Sequence, residues 1–467
     1  MMNDETLTIK KAQAMIAKKE ISPEELTQAF LKRTHEQNPK LNAYLSIFEN
    51  APGGIPCVIK DVIMVKGEKC TAASKILENY VASYDATVIT KLRALGVSIL
   101  GKGNCDEFAM GSTGEYSAFG PTRNPFDHER VAGGSSSGPA AAIAGGMALF
   151  GLGSETGGSI RMPAAWCGIV GVKPSYGRVS RFGLLPMASS LNQIGPFAKN
   201  VEDATWVMQA IAGHDPLDAA SSPLPVPDYS KSLGQSIKGM NIAVPKEYFG
   251  SPRSEAGEGL DPQVKTLTMK AIKQLESLGA HVDEVSLPLT NYALATYYVI
   301  VPSEISADLA RYDGIRYGLS VPGKTLLDTY LETRDRGFGP EAKRRVMIGT
   351  YALSAGYYDA YYKKAQQVRT LIRREFDNIF SKYDVIVGPT APTLAPKIGE
   401  FDNPLAFYLA DAYMIQANLA GICAISVPCG FGEIDGVKLP SGLHIMAKQF
   451  DEATMFKVAH TYEQAVQ

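Results

Sequence analysis

Several features that would assign a function quickly are missing from this sequence. No segment approaches ~18 uninterrupted apolar residues, so we expect no membrane-spanning helix. The six histidines lie far apart and none has H-E-x-x-H spacing, so we expect no metal site. The six cysteines never form C-x-x-C, which favours reduced thiols in a cytoplasmic protein.

An excess of charge is missing too. The 467 residues include 46 basic and 48 acidic ones, a net charge of -2, which offers no basic surface for gripping nucleic acid alone. The chain has no G-x-x-x-x-G-K-S/T loop, so we do not expect it to bind ATP itself. Its acidic N-terminus has no apolar core, which predicts neither a signal peptide nor a transit peptide.

Alternating helix and strand patterns predict an α/β fold. The first 50 residues read as helices, with a capping box at Ser22–Glu25. Residues 54–61 read as a buried strand that ends on charged side chains. Residues 261–380 are predicted to be mostly helical, and residues 384–388 to form a further strand. This alternation favours one large sheet with helices packed on it.

The run GSETGGSIR, from Gly153 to Arg161, is the strongest chemical signal. Two glycines directly before a serine allow a turn that points successive N–H groups into one concavity, which attracts negative charge. A serine at the end of that turn would lie where a tetrahedral oxyanion needs hydrogen-bond donors. Ser159 is therefore predicted to be a nucleophile, provided that a base lies nearby.

The base is predicted to be a lysine, because no histidine lies near Ser159 in the sequence. A lysine accepts a proton only when it is neutral, which requires burial or a neighbouring cation. Lys60 follows an apolar run and meets the first condition. Taken alone, it reads more readily as a surface lysine at the end of a strand.

Three motifs together resemble the amidase signature family: GIPCVIKD at 54–61, GGSSSG at 133–138 and the 27-residue segment at 153–179 that contains GSETGGSIR. The resemblance implies that Lys60 is the base, Ser135 a relay that follows a cis peptide bond, and Ser159 the nucleophile. The oxyanion hole would be formed by the N–H groups of the turn that ends at Ser159, contributed by Thr156, Gly157, Gly158 and Ser159 itself.

The resemblance also implies the fold class: a large, mixed, twisted β-sheet flanked by helices on both faces. It covers nearly the whole chain and predicts a single amidase domain over 1–467. Within it we expect N-terminal helices over 1–50 and the signature core over about 51–220. The remainder of the sheet and a helical substrate-pocket region follow over about 240–467.

Further segments, at 83–127, 309–318 and 344–369 among others, resemble the branch of the family formed by the glutaminase A subunits of glutamyl-tRNA(Gln) amidotransferase. Such a subunit hydrolyses glutamine and passes ammonia to a partner that amidates Glu-tRNA(Gln). The resemblance implies B and C subunits as partners in a heterotrimer. It implies no cofactor in this chain, since ATP and Mg²⁺ would be used by the partner B subunit.

Free glutamine carries an α-carboxylate and an α-ammonium, so its pocket needs one cation and one anion. The family match assigns the carboxylate to Arg344, with the adjacent Arg345 as the alternative, because arginine binds a carboxylate with two parallel bonds. It assigns the ammonium to Asp411 and places Tyr297 or Tyr298 along the pocket wall.

The sequence departs from the family pattern at a few positions. Asn192 stands where the family usually has aspartate, and Ser137 and Pro139 replace a glycine and a small polar residue. Two other functions stay open at this point. One is a stand-alone amidase that acts on other small amides, and the other is a non-catalytic scaffold that keeps the fold.

Overall fold

The fold is built around β-strands drawn from both halves of the chain. The computed structural model describes residues 7–250, 259–400 and 408–466. The strands are β1 (Tyr44–Ile47), β2 (Ile55–Lys60), β3 (Val97–Gly103), β4 (Arg123–Asn124), β5 (Asp127–Val131), β6 (Phe150–Glu155), β7 (Val170–Lys173), β8 (Gln193–Ala198), β9 (Asn241–Pro245), β10 (His281–Val285), β11 (Val385–Pro389), β12 (Cys423–Ile434) and β13 (Val437–Ala447).

Over these residues, eleven strands form one mixed sheet in the order β1-β3-β2-β6-β8-β7-β12-β13-β11-β9-β10, and β4 pairs with β5 alone. Strand β2 runs parallel to β3 and β6, whereas β8 runs antiparallel to β6 and β7. Every residue of β2, β3, β6, β7, β8 and β11 is buried, as in sheets that are covered on both sides. The predicted large mixed sheet flanked by helices is confirmed.

The helices pack against this sheet and against one another. They are α1 (Ile9–Ala17), α2 (Pro23–Leu41), α3 (Thr87–Ala94), α4 (Ser137–Ala144), α5 (Arg161–Trp166), α6 (Val201–Ile211), α7 (Pro262–Ser277), α8 (Thr290–Asp308), α9 (Leu326–Gly337), α10 (Pro340–Leu353), α11 (Lys364–Phe380), α12 (Ile415–Ala420) and α13 (Glu452–Val466). The capping box predicted at the start of α2 is present, because Ser22 and Glu25 exchange side-chain-to-backbone hydrogen bonds.

The helical prediction for the first 50 residues missed strand β1. Asn42 ends α2 in the left-handed conformation, with φ of 50°, and redirects the chain. Asn38 then holds the new direction, since its Oδ1 accepts from the Tyr44 backbone N–H at 2.7 Å. The four-residue strand pairs antiparallel with β3 at the edge of the sheet. A strand this short carries too few residues to show a period of two in the sequence.

The sheet brings the conserved-type motifs of the sequence to one edge. Lys60 is the last residue of β2, and Glu155 is the last residue of β6. These two strands run parallel, so their carboxyl ends meet at the same edge, where ligands bind in open α/β sheets. The loop with Ser135 lies between β5 and α4.

Helices α8 and α10 cross closely beside that edge. Gly349 on α10 faces Pro302 on α8, and a Cβ at Gly349 would overlap the Pro302 carbonyl oxygen. Glycine is therefore required for the close approach of the two backbones. The crossing fixes the tyrosines of α8 relative to the arginines of α10.

Replacement of Gly349 by alanine should force these helices apart. We expect Gly349→Ala to lower the free energy of unfolding by about 1–3 kcal/mol, as overpacking usually does. The matched variant Met347→Ala, on the same helix with 72% of its side chain exposed, should change it by less than about 0.5 kcal/mol. Chemical denaturation measures both values, and equal stability of the two variants would contradict the close crossing.

Candidate active site

Lys60 and Ser135 are in direct contact. The Lys60 amine is fully buried and lies 2.6 Å from Ser135 Oγ and 3.2 Å from the Ser154 carbonyl oxygen. Burial lowers the pKa of Lys60 from 10.5 to about 8, although Cys105, Asp106 and Glu155 act in the opposite direction. An appreciable fraction of the amine is therefore neutral near physiological pH and can accept a proton.

Ser135 is held by the loop around it. The Gly134–Ser135 peptide bond is cis, as the resemblance implies. The Ser135 carbonyl oxygen accepts from the Asp106 backbone N–H at 3.2 Å. The next residue, Ser136, joins this loop to the nucleophile turn, because its N–H donates to the Ser159 carbonyl at 3.2 Å. Ser135 and Ser159 therefore lie on adjoining loops.

The hydroxyls of Ser135 and Ser159 are not hydrogen-bonded to each other in the described ranges. Ser159 is buried to 7% exposure at the end of the turn that follows β6. Ser136 fixes the base of this turn, since its hydroxyl donates to the Ser154 carbonyl at 3.1 Å and accepts from the Ser154 N–H at 3.3 Å. The structure thus supports the interpretation of Ser136 as a structural residue of the loop.

The turn before Ser159 presents unpaired N–H groups. Thr156, Gly157, Gly158 and Ser159 donate no backbone hydrogen bond to any residue that the structure describes. Gly158 has φ of +147°, a conformation that side chains other than glycine rarely adopt. Because buried N–H groups are nearly always paired, four successive unpaired ones indicate a site for an anion or oxyanion.

The turn is braced from below by a buried ion pair that sequence reasoning missed. Glu155 Oε2 accepts from the N–H groups of Ile160 and Arg161 at 3.0 and 3.2 Å. Burial opposes ionisation of Glu155, but the charge and hydrogen bonds of Arg161 outweigh it and lower the pKa of the carboxyl. Both residues flank the glycine pair in GSETGGSIR, and that position is the signal that could have found them.

The predicted ammonium ligand, Asp411, lies in a polar pocket. Its two carboxylate oxygens accept from Ser112 Oγ at 2.8 Å and from the Tyr298 hydroxyl at 2.9 Å. Burial raises the pKa of Asp411 to about 6, while these two hydroxyls and Arg345 act to lower it. The carboxylate is ionised at neutral pH and can bind a cation.

Tyr297 and Tyr298 connect this pocket to the nucleophile turn. The Tyr297 hydroxyl lies against Gly157, where a Cβ would overlap it. The Tyr298 ring stacks on Tyr408 with 4.0 Å between the ring centroids. Burial raises the pKa of both α8 tyrosines, which keeps their hydroxyls protonated as donors.

The two candidate arginines occupy different environments. Glu341 pairs with both, through Oε2 to Arg344 and through Oε1 to Arg345 Nε at 2.7 Å. The Arg345 side chain is only 3% exposed and lies 5.5 Å from the ring centroids of Tyr298 and Tyr408. The Arg344 side chain is 39% exposed, so it is the one that an incoming ligand can reach.

The positions that depart from the family pattern are accommodated locally. Asn192 is buried and its Oδ1 accepts from the Ala188 N–H at 3.3 Å. Ser137 donates to Thr122 Oγ1 at 3.0 Å, and Pro139 packs against Gly103. Ser137 and Asn192 thus have polar partners in the fold.

Two searches of the described residues bear on other functions. None of the helices there is both long and apolar enough to cross a membrane. The same residues hold no group of three or more His, Cys, Asp or Glu side chains arranged to bind a metal ion.

The fold and this site define a class of protein, the amidase signature hydrolases. Residues 53–456 match the family model described as Amidase, and the chain therefore belongs to the amidase family. A solved peptide amidase from Stenotrophomonas maltophilia has the same fold, with a TM-score of 0.80 at 29% identity over 98% of this chain and 96% of that one.

Within the family, the chain is similar over its whole length to glutamyl-tRNA(Gln) amidotransferase A subunits. The subunit from Geobacillus kaustophilus is 53% identical, with 98% of this chain and 97% of the relative covered. That from Koribacter versatilis is 51% identical over 100% of this chain and 99% of the relative. The crystal structure of the subunit from Thermotoga maritima has a TM-score of 0.84 at 42% identity, covering 99% and 96% of the two chains.

A lysine base predicts a specific pH dependence of amide hydrolysis. Only the neutral amine accepts a proton, so kcat/KM should rise with pH through about 8 and then level off. Lys60→Met should remove nearly all activity. Lys173→Met is the matched control, because it removes another buried amine, which donates to the Pro174 carbonyl. Initial rates across pH measure the profile, and loss of the inflection in the Lys173 variant alone would contradict the assignment.

Proposed function

We propose that the chain is a glutaminase and that it supplies ammonia for the conversion of Glu-tRNA(Gln) to Gln-tRNA(Gln). The observation that carries this proposal is the pocket beside the nucleophile turn, which holds an anion and a reachable cation, Asp411 and Arg344. An amide whose other end is an amino acid needs that pair of charges. The names of the relatives support the same substrate.

The reaction begins with a proton relay. Neutral Lys60 Nζ accepts the proton of Ser135, whose Oγ lies 2.6 Å away, while Ser135 Oγ accepts the proton of Ser159. Ser159 Oγ then attacks the side-chain amide carbon of glutamine. This attack needs the two serine hydroxyls to come within hydrogen-bond distance once substrate is bound.

The tetrahedral intermediate is stabilised by the nucleophile turn. Its oxyanion accepts from the N–H groups of Thr156, Gly157, Gly158 and Ser159, which are unpaired within the described part of the chain. Loss of one such donor typically costs about 2.7–4 kcal/mol of transition-state stabilisation. Since the N–H groups are fixed in the fold, they need no reorganisation as the charge forms.

Collapse of the intermediate breaks the C–N bond. The relay returns the proton from Lys60 through Ser135 to the leaving nitrogen, which departs as ammonia, and Ser159 keeps the γ-glutamyl group as an ester. Water, deprotonated through the same relay, attacks this ester and releases glutamate. Atoms and charge balance with one water consumed and one ammonia released for each glutamine.

Substrate recognition uses charges at the two ends of the pocket. Arg344 binds the α-carboxylate, for which its partly exposed guanidinium is available beside Glu341. Asp411 binds the α-ammonium, and Tyr297 and Tyr298 form the wall between them and the turn. Arg345 lies beneath, packed on Tyr298, and acts as a structural cation.

The partners and location follow from the same proposal. B and C subunits complete a heterotrimer, and the partner B subunit takes ATP, Mg²⁺ and most of the contact with Glu-tRNA(Gln). The net charge of -2 agrees with a subunit that does not hold tRNA alone. No cofactor is needed in this chain, and a complex of this kind works in the cytoplasm.

A direct test compares glutamine with other amides, in the presence and absence of the B and C subunits. Ammonia release should show a preference for glutamine and should depend on the partners. Ready turnover of varied amides, with no glutamine preference and no partner effect, would indicate a stand-alone amidase instead. Absence of any hydrolysis in the complete heterotrimer would indicate a scaffold.

The assignment of Arg344 predicts a substrate-dependent loss. Arg344→Gln should raise KM for glutamine at least about tenfold, because a hydrogen bond to a charged group contributes roughly 1.5–3 kcal/mol. Hydrolysis of 4-aminobutanamide, which has the amide and the amine but no carboxylate, should not change. Steady-state kinetics with both substrates measures the difference, and equal losses would contradict the carboxylate contact.

A further inference from the structure

One residue links the predicted ammonium ligand to the relay loop. The Ser112 carbonyl oxygen accepts from the Gly134 N–H at 2.8 Å, directly before Ser135. The Ser112 hydroxyl donates to Asp411 Oδ1 at 2.8 Å. Ser112 is only 3% exposed, so water does not compete for these contacts. Its main chain and side chain therefore contact two different parts of the active site.

The segment that contains Ser112 is itself held firmly. The Asp106 carboxylate accepts from the N–H of Gly114 at 3.1 Å and from the N–H of Tyr116 at 2.9 Å. The same carboxylate packs against Gly134, where a Cβ would overlap it. Asp106 thus clamps the Ser112 segment onto the relay loop. A shift of Asp411 would be transmitted to this clamped unit through the Ser112 hydroxyl.

We propose that Ser112 is a positioning residue that orients and ionises Asp411 for the α-ammonium of the substrate and keeps this site in register with the relay serine. The proposal rests on the proposed glutaminase function. Ser112 does not touch the reacting atoms. It acts through Asp411 on one side and through the Gly134–Ser135 loop on the other.

The electrostatic surroundings of Asp411 make the hydroxyl important. The groups that face it are Ser112 from its loop, Tyr298 and Tyr297 from α8, Arg345 from α10, and Glu155 from β6 with its partner Arg161. Of these, Arg345 favours the carboxylate, whereas Glu155 disfavours it. Each carboxylate oxygen has one hydroxyl donor, so removal of Ser112 leaves one oxygen buried without its donor.

The sign of the pH effect follows from these contacts. Asp411 binds an ammonium only when it is ionised, and burial already raises its pKa to about 6. Hydrogen bonds to the carboxylate stabilise the ionised form, so loss of one donor raises the pKa further. In a variant without the hydroxyl, Asp411 should become protonated at a higher pH, and glutamine binding should weaken there as pH falls.

The test compares Ser112→Ala with Thr113→Val in the complete heterotrimer. Thr113 is the matched control, because its buried Oγ1 has no hydrogen-bond partner among the residues described. The substrates are glutamine and glutaramate, which keeps the carboxylate and the amide but lacks the α-ammonium. Steady-state rates are measured between about pH 6 and pH 9, a range that spans the titration of both Asp411 and Lys60.

We expect Ser112→Ala to raise KM for glutamine roughly tenfold at neutral pH while kcat stays within about twofold. The acidic limb of kcat/KM for glutamine should move to higher pH. Glutaramate kinetics and the Thr113→Val enzyme should match the wild type. Ser112→Thr, which keeps a hydroxyl, should restore the profile, and Ser112→Cys, a weak donor of similar size, should fall between and serves if the alanine variant does not fold.

Other results would overturn the proposal. An equal rise in KM for glutamine and glutaramate, or an unmoved acidic limb, would show that Ser112 does not act through Asp411. Wild-type kinetics in both Ser112→Ala and Ser112→Cys would do the same. Failure of the wild-type heterotrimer to hydrolyse glutamine would instead overturn the proposed function, so the two failures are distinguishable.

Discussion

The rest of the active site depends on one constraint, the removal of the Lys60 amine from water. An exposed lysine is protonated at neutral pH and cannot accept a proton. Strand β2 is buried along its whole length, and its last residue places the amine against a hydroxyl and a carbonyl oxygen. Burial brings the pKa to about 8. A Ser–Ser relay with a lysine base is chemically workable only because the centre of the sheet is this dry.

Around that base, separate parts of the fold have separate tasks. The ends of β2 and β6 supply the base and the turn of N–H groups, while α8 and α10 supply the pocket. A continuous chain of contacts joins the pocket charges: Asp411 to Tyr298, Tyr298 stacked on Tyr408, and Tyr408 through Glu341 to Arg344. The distance between the two substrate charges is thereby built into the fold. This arrangement explains how a family with common acyl-transfer chemistry can be specific for an amino acid amide.

The sequence predicted the sheet, the cis peptide bond and the meeting of Lys60 with Ser135, because those features depend on short motifs with distinctive residues. It did not predict the short strand β1, whose four residues carry no clear period. It also missed Glu341 and Ser112, whose partners lie on other elements and are defined only by packing. Arg344 and Arg345 are adjacent in sequence, and only their different burial separates them. The catalytic and binding roles assigned to these residues stay predictions.

The central claim is that a γ-glutamyl group passes through Ser159. It is tested most directly by acid-quenching the heterotrimer during glutamine turnover and mapping the acyl group by peptide mass spectrometry. The account predicts one γ-glutamyl ester on the peptide that contains Ser159, lost when hydroxylamine is added before the quench, and absent in Ser159→Ala. An ester on Ser135, or persistent glutamine hydrolysis in Ser159→Ala, would contradict it.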